Sequence, residues 1–345
     1  MATLILSDGS RFTGKLFGYK ANVSGEVVFT TGMAGYQETL SDPACAGQIV
    51  CMTYPLIGNA GVNDLDFESD GARCAGLVIA QLCDLPSNWQ MKCTLEEYLC
   101  QQKVVGLCDV DTRALTRHLR AHGTMSGRIE ADEAQESMEK PAAYTRSAAY
   151  EMKAEGGDTT FAVLDLGVKR SVLAALLDRG VSLKVYPADT DADTILESGC
   201  DACLITSGPG KPQDYGRQIE TVCAMMEKKP CMGIALGHQI MTLAQGGGVT
   251  PLVYGHHGSN LPVKDLAHGV CYVTAQHAGY TVDPQKLPEG AKITHVNSND
   301  RSIEGLRYAD GSMSVQFYPD AGRGLYKTVD LYDEFIAQVR AGAAK

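Results

Sequence analysis

At 345 residues the chain is long for one hydrophobic core and comfortable for two, and its 44% apolar and 21% charged residues are those of a soluble globular protein. A formal charge of -11 argues against a general nucleic-acid binder or a protein that coats anionic membranes, which leaves small molecules and other proteins as partners. The twelve cysteines are scattered without the paired spacing of a zinc site or a disulfide scaffold. The one C-x-x-C, Cys200 to Cys203, has no second pair, so the expectation is buried thiols, no metal and no cofactor.

The first residues, "MATLILSDGSRFTG", alternate apolar positions and turn at Asp8-Gly9. They lack the basic start and long apolar run of a signal peptide, and no stretch reaches the roughly 18 apolar residues of a membrane span. A cytoplasmic protein is expected. From 1 to 130 short β-like runs ("GEVVFTT", "GQIVCMTY", "GLVIAQLC") precede "DVDTRALTRHLRAHG". There Asp111 or Thr112 can cap a helix whose Leu115 and Leu119 recur at i, i+4 and which Gly123 stops. The prediction is a β-rich α+β domain. Residues 131–160 are polar, rich in alanine and closed by Gly-Gly, and read as a partly helical connection.

From 161 to 345 strands alternate with helices: "FAVLDLG", then "KRSVLAALLDRG", "VSLKVYPA", "ACLIT", "DYGRQIETVCAMMEKK" and "CMGI". Such alternation predicts a mostly parallel sheet flanked by helices, with its site at the carboxyl ends of the strands. Two motifs stand at such ends. Gly208-Pro209-Gly210 allows close backbone approach to a ligand, and is no nucleotide phosphate loop because Lys211 is followed by Pro212. "CMGIALGHQ" is a strand, a sharp elbow and a helix; the tip of such an elbow is pushed toward solvent, with helix N–H groups behind it for an anion. A nucleophile belongs there, and Ala235 has none.

"TSGPGKP", "GIALGHQ" and "SVQFYPD", in this order, resemble the three motifs of class I glutamine amidotransferase domains. "GEVVFTTGMAGYQETLSDPACAGQIVCMTYPLIGNAGVND", "GHHGSNLPVKD" and "VTAQHAGYTVD" resemble the small subunit of carbamoyl phosphate synthetase, so the likeness covers nearly the whole chain. It implies a subunit that hydrolyses glutamine and passes ammonia to a large subunit, which makes carbamoyl phosphate from bicarbonate and ATP. That chemistry needs a thiolate, a His base, a carboxylate to orient it, and backbone donors for the oxyanion.

The match fails where the chemistry lies. The nucleophile position is Ala235, the His of Q-x-H-P-E is Tyr318 and its Glu is Asp320. In the glutamine pocket the serine of D-P-S is Ala44 and the asparagine of Q-N-H-G-F is His277. Gly208, Gly210, Leu236, Gln239 and Gly279 do match, leaving a vestigial pocket and oxyanion turn. Cys231, four residues upstream on an extended strand, is about 13 Å from the tip and too far to stand in. A single exchange at the nucleophile would leave the rest of the site as it was; here five positions depart together.

The resemblance therefore predicts a catalytically silent small subunit that supports a large subunit using free ammonia. A second reading is a stand-alone regulatory or ligand-binding protein with His277, Tyr318 and Asp320 lining the pocket. A third, new acid–base chemistry through Tyr318 and Asp320, lacks a nucleophile.

Overall fold

The computed structural model describes residues 1–131, 137–138, 145–319 and 331–343. The chain forms two compact units, Met1–Ala142 with Val253–Ser259 and Ala143–Leu252 with Asn260–Lys345.

The first unit contains β1 (Ala2–Leu6), β2 (Arg11–Gly18), β3 (Asn22–Thr30), α1 (Tyr36–Ser41), β4 (Gln48–Met52), β5 (Leu56–Ile57), β6 (Gly76–Val78), β7 (Gln81–Leu82), α2 (Leu95–Gln101), β8 (Val105–Cys108), α3 (Thr112–His122), β9 (Met125–Ala131) and β10 (Ser137–Met138). The order β3-β4-β6-β8-β2-β1-β9 closes on itself, because β9 pairs with β1 on one side and with β3 on the other, Val23 opposite Ile129. Alternation along β3 explains how one sheet serves two layers. Val27 and Phe29 join a cluster with Leu115 and Leu119 of α3, while Val28 joins another with Leu40 of α1 and Leu95 and Leu99 of α2. Helix α3 begins where the sequence places its cap, Asp111 Oδ1 accepting from Ala114 N at 2.8 Å, and stops at Gly123 with φ 89°.

Residues 253–259 are bound into this unit by main-chain bonds from Thr31 N to His257 O (3.3 Å) and from Thr124 N to Val253 O (3.1 Å). Arg120 adds its guanidinium over the rings of both Phe29 and Tyr254, themselves stacked.

The second unit contains β11 (Tyr150–Met152), β12 (Thr159–Asp165), α4 (Arg170–Leu177), β13 (Val181–Pro187), α5 (Ala192–Leu196), β14 (Ala202–Ile205), α6 (Gly216–Met226), β15 (Cys231–Ile234), α7 (Leu236–Ala244), β16 (Val249–Asp265), β17 (Cys271–Val282), β18 (Lys292–Asn297), β19 (Ile303–Arg307), β20 (Met313–Val315) and α8 (Leu331–Ala343). Strands β13-β12-β14-β15-β20 run parallel, and the sheet continues antiparallel through β19, β17, β16 and β18. Phe161, Val163, Leu204 and Ile234 pack with α4 and α8 on one face, and Ala162, Leu164, Ile205 and Cys231 with α5, α6 and α7 on the other. Both faces are covered, which is why these strands read as continuous apolar runs.

The expectation of helix in 131–160 is corrected for the residues described. Ser137–Met138 and Tyr150–Met152 are strands, the latter antiparallel to β13, where Tyr150 and Met152 pack against the core. Edge pairing and burial of alternate side chains outweigh the helical propensity of the alanines nearby. Seven cysteines are buried, including Cys200, Cys203 and Cys231, whereas Cys100 and Cys271 are exposed. Cys200 and Cys203 lie 4.0 Å apart, sulfur to sulfur, and their hydrogen bond together with burial holds the Cys200 thiol protonated.

Candidate functional site

The carboxyl ends of β12, β14, β15 and β20 converge, and the elbow is built there by glycines. A Cβ on Gly237 would stand 2.2 Å from Ile205 O of β14, and one on Gly233 would stand 2.6 Å from Met241 Sδ and 2.8 Å from the Gly237 carbonyl. Only bare backbone fits, so α7 starts immediately after β15. The cost falls on the tip: Ala235 has φ 53° and ψ -109°, a conformation strained by about 1–3 kcal/mol for a residue with a Cβ. Ala235 N donates to Val315 O at 2.9 Å, and Ala235 O accepts from His238 N at 3.1 Å, tying the tip to β20 and to its own helix.

The tip does not face solvent as the elbow pattern predicts. Ala235 is 1% exposed and shares a core cluster with Phe317 and Tyr318. A methyl group has no polar atom to keep in water, and the aromatic segment that follows β20 packs over it. Tyr318, 2% exposed, is held by Tyr318 N donating to Ala275 O at 3.0 Å, and the Lys169 ammonium lies 4.1 Å from its ring centroid. Lys169 is itself buried, at the N-terminal boundary of α4.

Gly208, Gly210, Leu236, Gln239, His277 and Gly279 all belong to the second unit. Leu236 opens α7 and is buried; a Cβ on Gly208 would meet its Cδ2 at 2.9 Å and Leu166 O at 2.4 Å. Gly210 takes φ 83°, and Tyr215 donates its hydroxyl to Pro209 O at 2.7 Å, fixing the turn. Gln239 donates through Nε2 to Tyr280 O (2.9 Å) and to Gln316 Oε1 (2.8 Å), which joins α7 to β17 and to the segment after β20. His277, half-buried, and Gly279, exposed, lie on the same β17 whose Ala275 bridges Tyr318. Ala44 belongs to the first unit, buried in a 3-10 turn, Pro43–Cys45, where Asp42 Oδ1 accepts Ala44 N at 2.9 Å. Asp320 lies outside the described residues.

His238, beside the elbow, supplies no substitute base. It is fully buried, its Nδ1 is 2.7 Å from Ser314 Oγ, and burial pushes the imidazole down to about 3. Sequence reasoning missed two neighbours of the site, Lys169 and Gln316. The signal for Lys169 was available in "DLGVKR", a lysine just past the carboxyl end of a strand in an α/β pattern.

A family model described as carbamoyl-phosphate synthase small chain, CPSase domain, matches residues 4–129, and a second, glutamine amidotransferase class-I, matches residues 162–338. The carbamoyl phosphate synthase small chain of Clostridium perfringens is 42% identical over 97% of this chain and 98% of its own length. The chain belongs to the carbamoyl phosphate synthase small chain family. The small chain of Archaeoglobus fulgidus is 40% identical over 98% of this chain and 99% of its own, and the pyrimidine-specific small chain of Halalkalibacterium halodurans 41% identical over 96% and 95%. Membership in this small chain family implies a large-chain partner. Among the described residues no helix is long and apolar enough to cross a membrane.

Proposed function

We propose that this small chain is catalytically silent toward glutamine and supports a large chain in the cytoplasm that makes carbamoyl phosphate from free ammonia, for the pyrimidine or arginine routes. The observation that carries the reading is the pair Ala235 and Tyr318: a methyl group at the elbow tip and a buried aromatic ring, under a lysine, at the family's base position. A methyl group forms no thioester. Tyrosine, with an ordinary pKa near 10, is a poor base at neutral pH. Losing the nucleophile or base of such a site costs on the order of a millionfold in rate, roughly 8 kcal/mol, and the losses do not add.

The retained parts support a scaffold. The elbow glycines, the Gly208 turn and the Gln239 bonds still hold the fold around the empty chemistry. Coverage of nearly the full length of the relatives favours the heteromeric reading over a stand-alone binding protein. The test is a glutamate-release assay on the purified chain, alone and with its large chain, beside carbamoyl phosphate synthesis supplied with ammonium or with glutamine. Synthesis on ammonium alone is expected; glutamate release that survives removal of contaminating glutaminases overturns the reading.

A further inference from the structure

Helix α3 carries two histidines one turn apart, His118 and His122, their rings stacked with 4.4 Å between centroids and 29° between planes. Residues at i and i+4 share a helix face. Each ring has one nitrogen committed to a fixed acceptor. His118 Nε2 lies 2.6 Å from Asp8 Oδ2, in the turn between β1 and β2, with Ser10 Oγ at 3.4 Å, and His122 Nδ1 lies 3.0 Å from His118 O. A backbone carbonyl can only accept, and so can an ionised carboxylate. Asp8 is held ionised: its Oδ1 takes the Ser10 N–H at 2.9 Å, and that bond, with the His118 contact, brings the carboxyl down to about 2. In the neutral rings the protons therefore sit on Nε2 of His118 and Nδ1 of His122. The lone pairs are left on Nδ1 of His118 and Nε2 of His122, and neither of these has a hydrogen-bond partner among the described residues.

A histidine that ligates a metal gives its other N–H to a carboxylate or a backbone carbonyl, which fixes the tautomer and makes the remaining nitrogen a better donor. Here there is one of each. Two imidazoles at i and i+4 on one helix face are also the spacing by which helices take up zinc. Phe12 stands edge-on to the His118 ring at 6.3 Å and limits its rotation. His122 is the last residue of α3, where the negative end of the helix favours a cation. No group of three or more His, Cys, Asp or Glu side chains among the described residues is arranged to hold a metal ion, so the centre is a two-donor chelate whose other positions fall to water. We infer that Nδ1 of His118 and Nε2 of His122 form a binding site for a divalent transition-metal ion on α3, with Asp8 as its positioning residue. Imidazole donors select zinc or nickel over magnesium, which prefers oxygen ligands.

The test is calorimetric titration of the full-length chain with zinc, nickel and magnesium ions, in a Cys100→Ser, Cys271→Ser background that removes the exposed thiols as competitors. One zinc or nickel ion per chain is expected, at micromolar affinity, with no heat from magnesium. His118→Ala and His122→Ala are each expected to weaken binding on the order of a hundredfold, since either leaves a single imidazole without its chelating partner. Asp8→Ala keeps both donors and is expected to weaken binding by about tenfold to a hundredfold. Nitrogen-15 NMR of the histidine rings supplies a readout that packing alone would not move. Before zinc it is expected to show an Nε2–H tautomer for His118 and an Nδ1–H tautomer for His122, with the His118 tautomers mixing in Asp8→Ala; zinc is expected to shift the other nitrogen of each ring. His122 is exposed and bonded only within its own helix, so His122→Ala keeps the fold, which circular dichroism checks. Unchanged affinity in that variant overturns the site. So does a parent chain that takes up no zinc below millimolar concentration, or one that binds magnesium as well as zinc. Parent affinity and an unmixed His118 tautomer in Asp8→Ala overturn the role given to Asp8.

Discussion

The ammonium of Lys169 sits 4.1 Å from the centre of the Tyr318 ring, and both side chains are buried. A cation so far from bulk water needs electron density to replace its hydration, and the face of an aromatic ring supplies it; a desolvated contact of this kind is worth about 2 kcal/mol. Tyr318 is thus part of the packing.

The first prediction concerns that contact. Tyr318→Phe keeps the ring under the ammonium, whereas Tyr318→Leu removes the ring. In urea unfolding, Tyr318→Leu is expected to be less stable than Tyr318→Phe by about 2 kcal/mol or more, because the cation–π contact and part of the packed volume are lost with the ring. Equal midpoints for the two variants would show that Lys169 gains nothing from the ring.

The second prediction concerns the elbow. Gly237→Ala drives a methyl group against the Ile205 carbonyl at 2.2 Å, and a backbone atom in the middle of a parallel sheet cannot yield. A loss on the order of 3 kcal/mol is expected. Ala235→Gly removes one buried methyl and adds freedom to the unfolded chain, yet relieves the strain at φ 53°, so it is expected within about 1 kcal/mol of the parent. Thermal unfolding of the two variants side by side checks the order.

The positions of the strands, the start and stop of α3 and the place of the elbow were legible in the sequence because each rests on local signals: apolar runs, Asp111 and Gly123 as punctuation, and glycines two residues either side of Ala235. The burial of Ala235 was not legible, since it depends on Phe317 and Tyr318 arriving from the segment after β20, about eighty residues later. Nor was the closing of the first sheet, which depends on β9 pairing with two strands far apart in sequence. The attachment of residues 253–259 to the first unit was hidden for the same reason. They lie within the single long strand β16, and the Arg120 clasp over Phe29 and Tyr254 is long-range.

The third prediction is that Ala235→Cys alone restores no glutaminase. A thiol at the head of α7 gains some acidity from the helix, but it has no base and no acid for the departing ammonia. His238 cannot serve, its imidazole being held near 3 and bonded toward Ser314. Ala235→Cys with Tyr318→His is the least combination expected to show turnover. Adding His277→Asn and Asp320→Glu is expected to raise it further, because misplacing the substrate by about 1 Å costs roughly a hundredfold. Glutamate release from the single, double and fourfold variants measures this, and turnover in the single variant would mean another residue supplies the base.

The fourth prediction follows from the same histidine. Its folded-state pKa, near 3, lies below the ordinary value of 6.5, so the unfolded chain binds the proton first. The contribution of a neutral His238 is fully present above pH 6.5 and is lost as pH falls toward 3, at up to about 1.4 kcal/mol per pH unit. His238→Asn keeps a polar group for Ser314 without the titration. It is expected to be less stable than the parent at pH 7.5 and to show a flatter stability profile between pH 6.5 and 4, read from urea midpoints across that range.

The distribution of thiols makes the molecule ready for spectroscopy without new residues. Cys100 on α2 and Cys271 on β17 are exposed, one in each compact unit, while seven others are sealed in the cores. Partial burial pushes the Cys100 thiol up, so maleimide coupling there quickens as the pH is raised. A fluorophore on either thiol would turn the native chain into its own reporter, the dye's emission answering to whatever comes to rest against that unit.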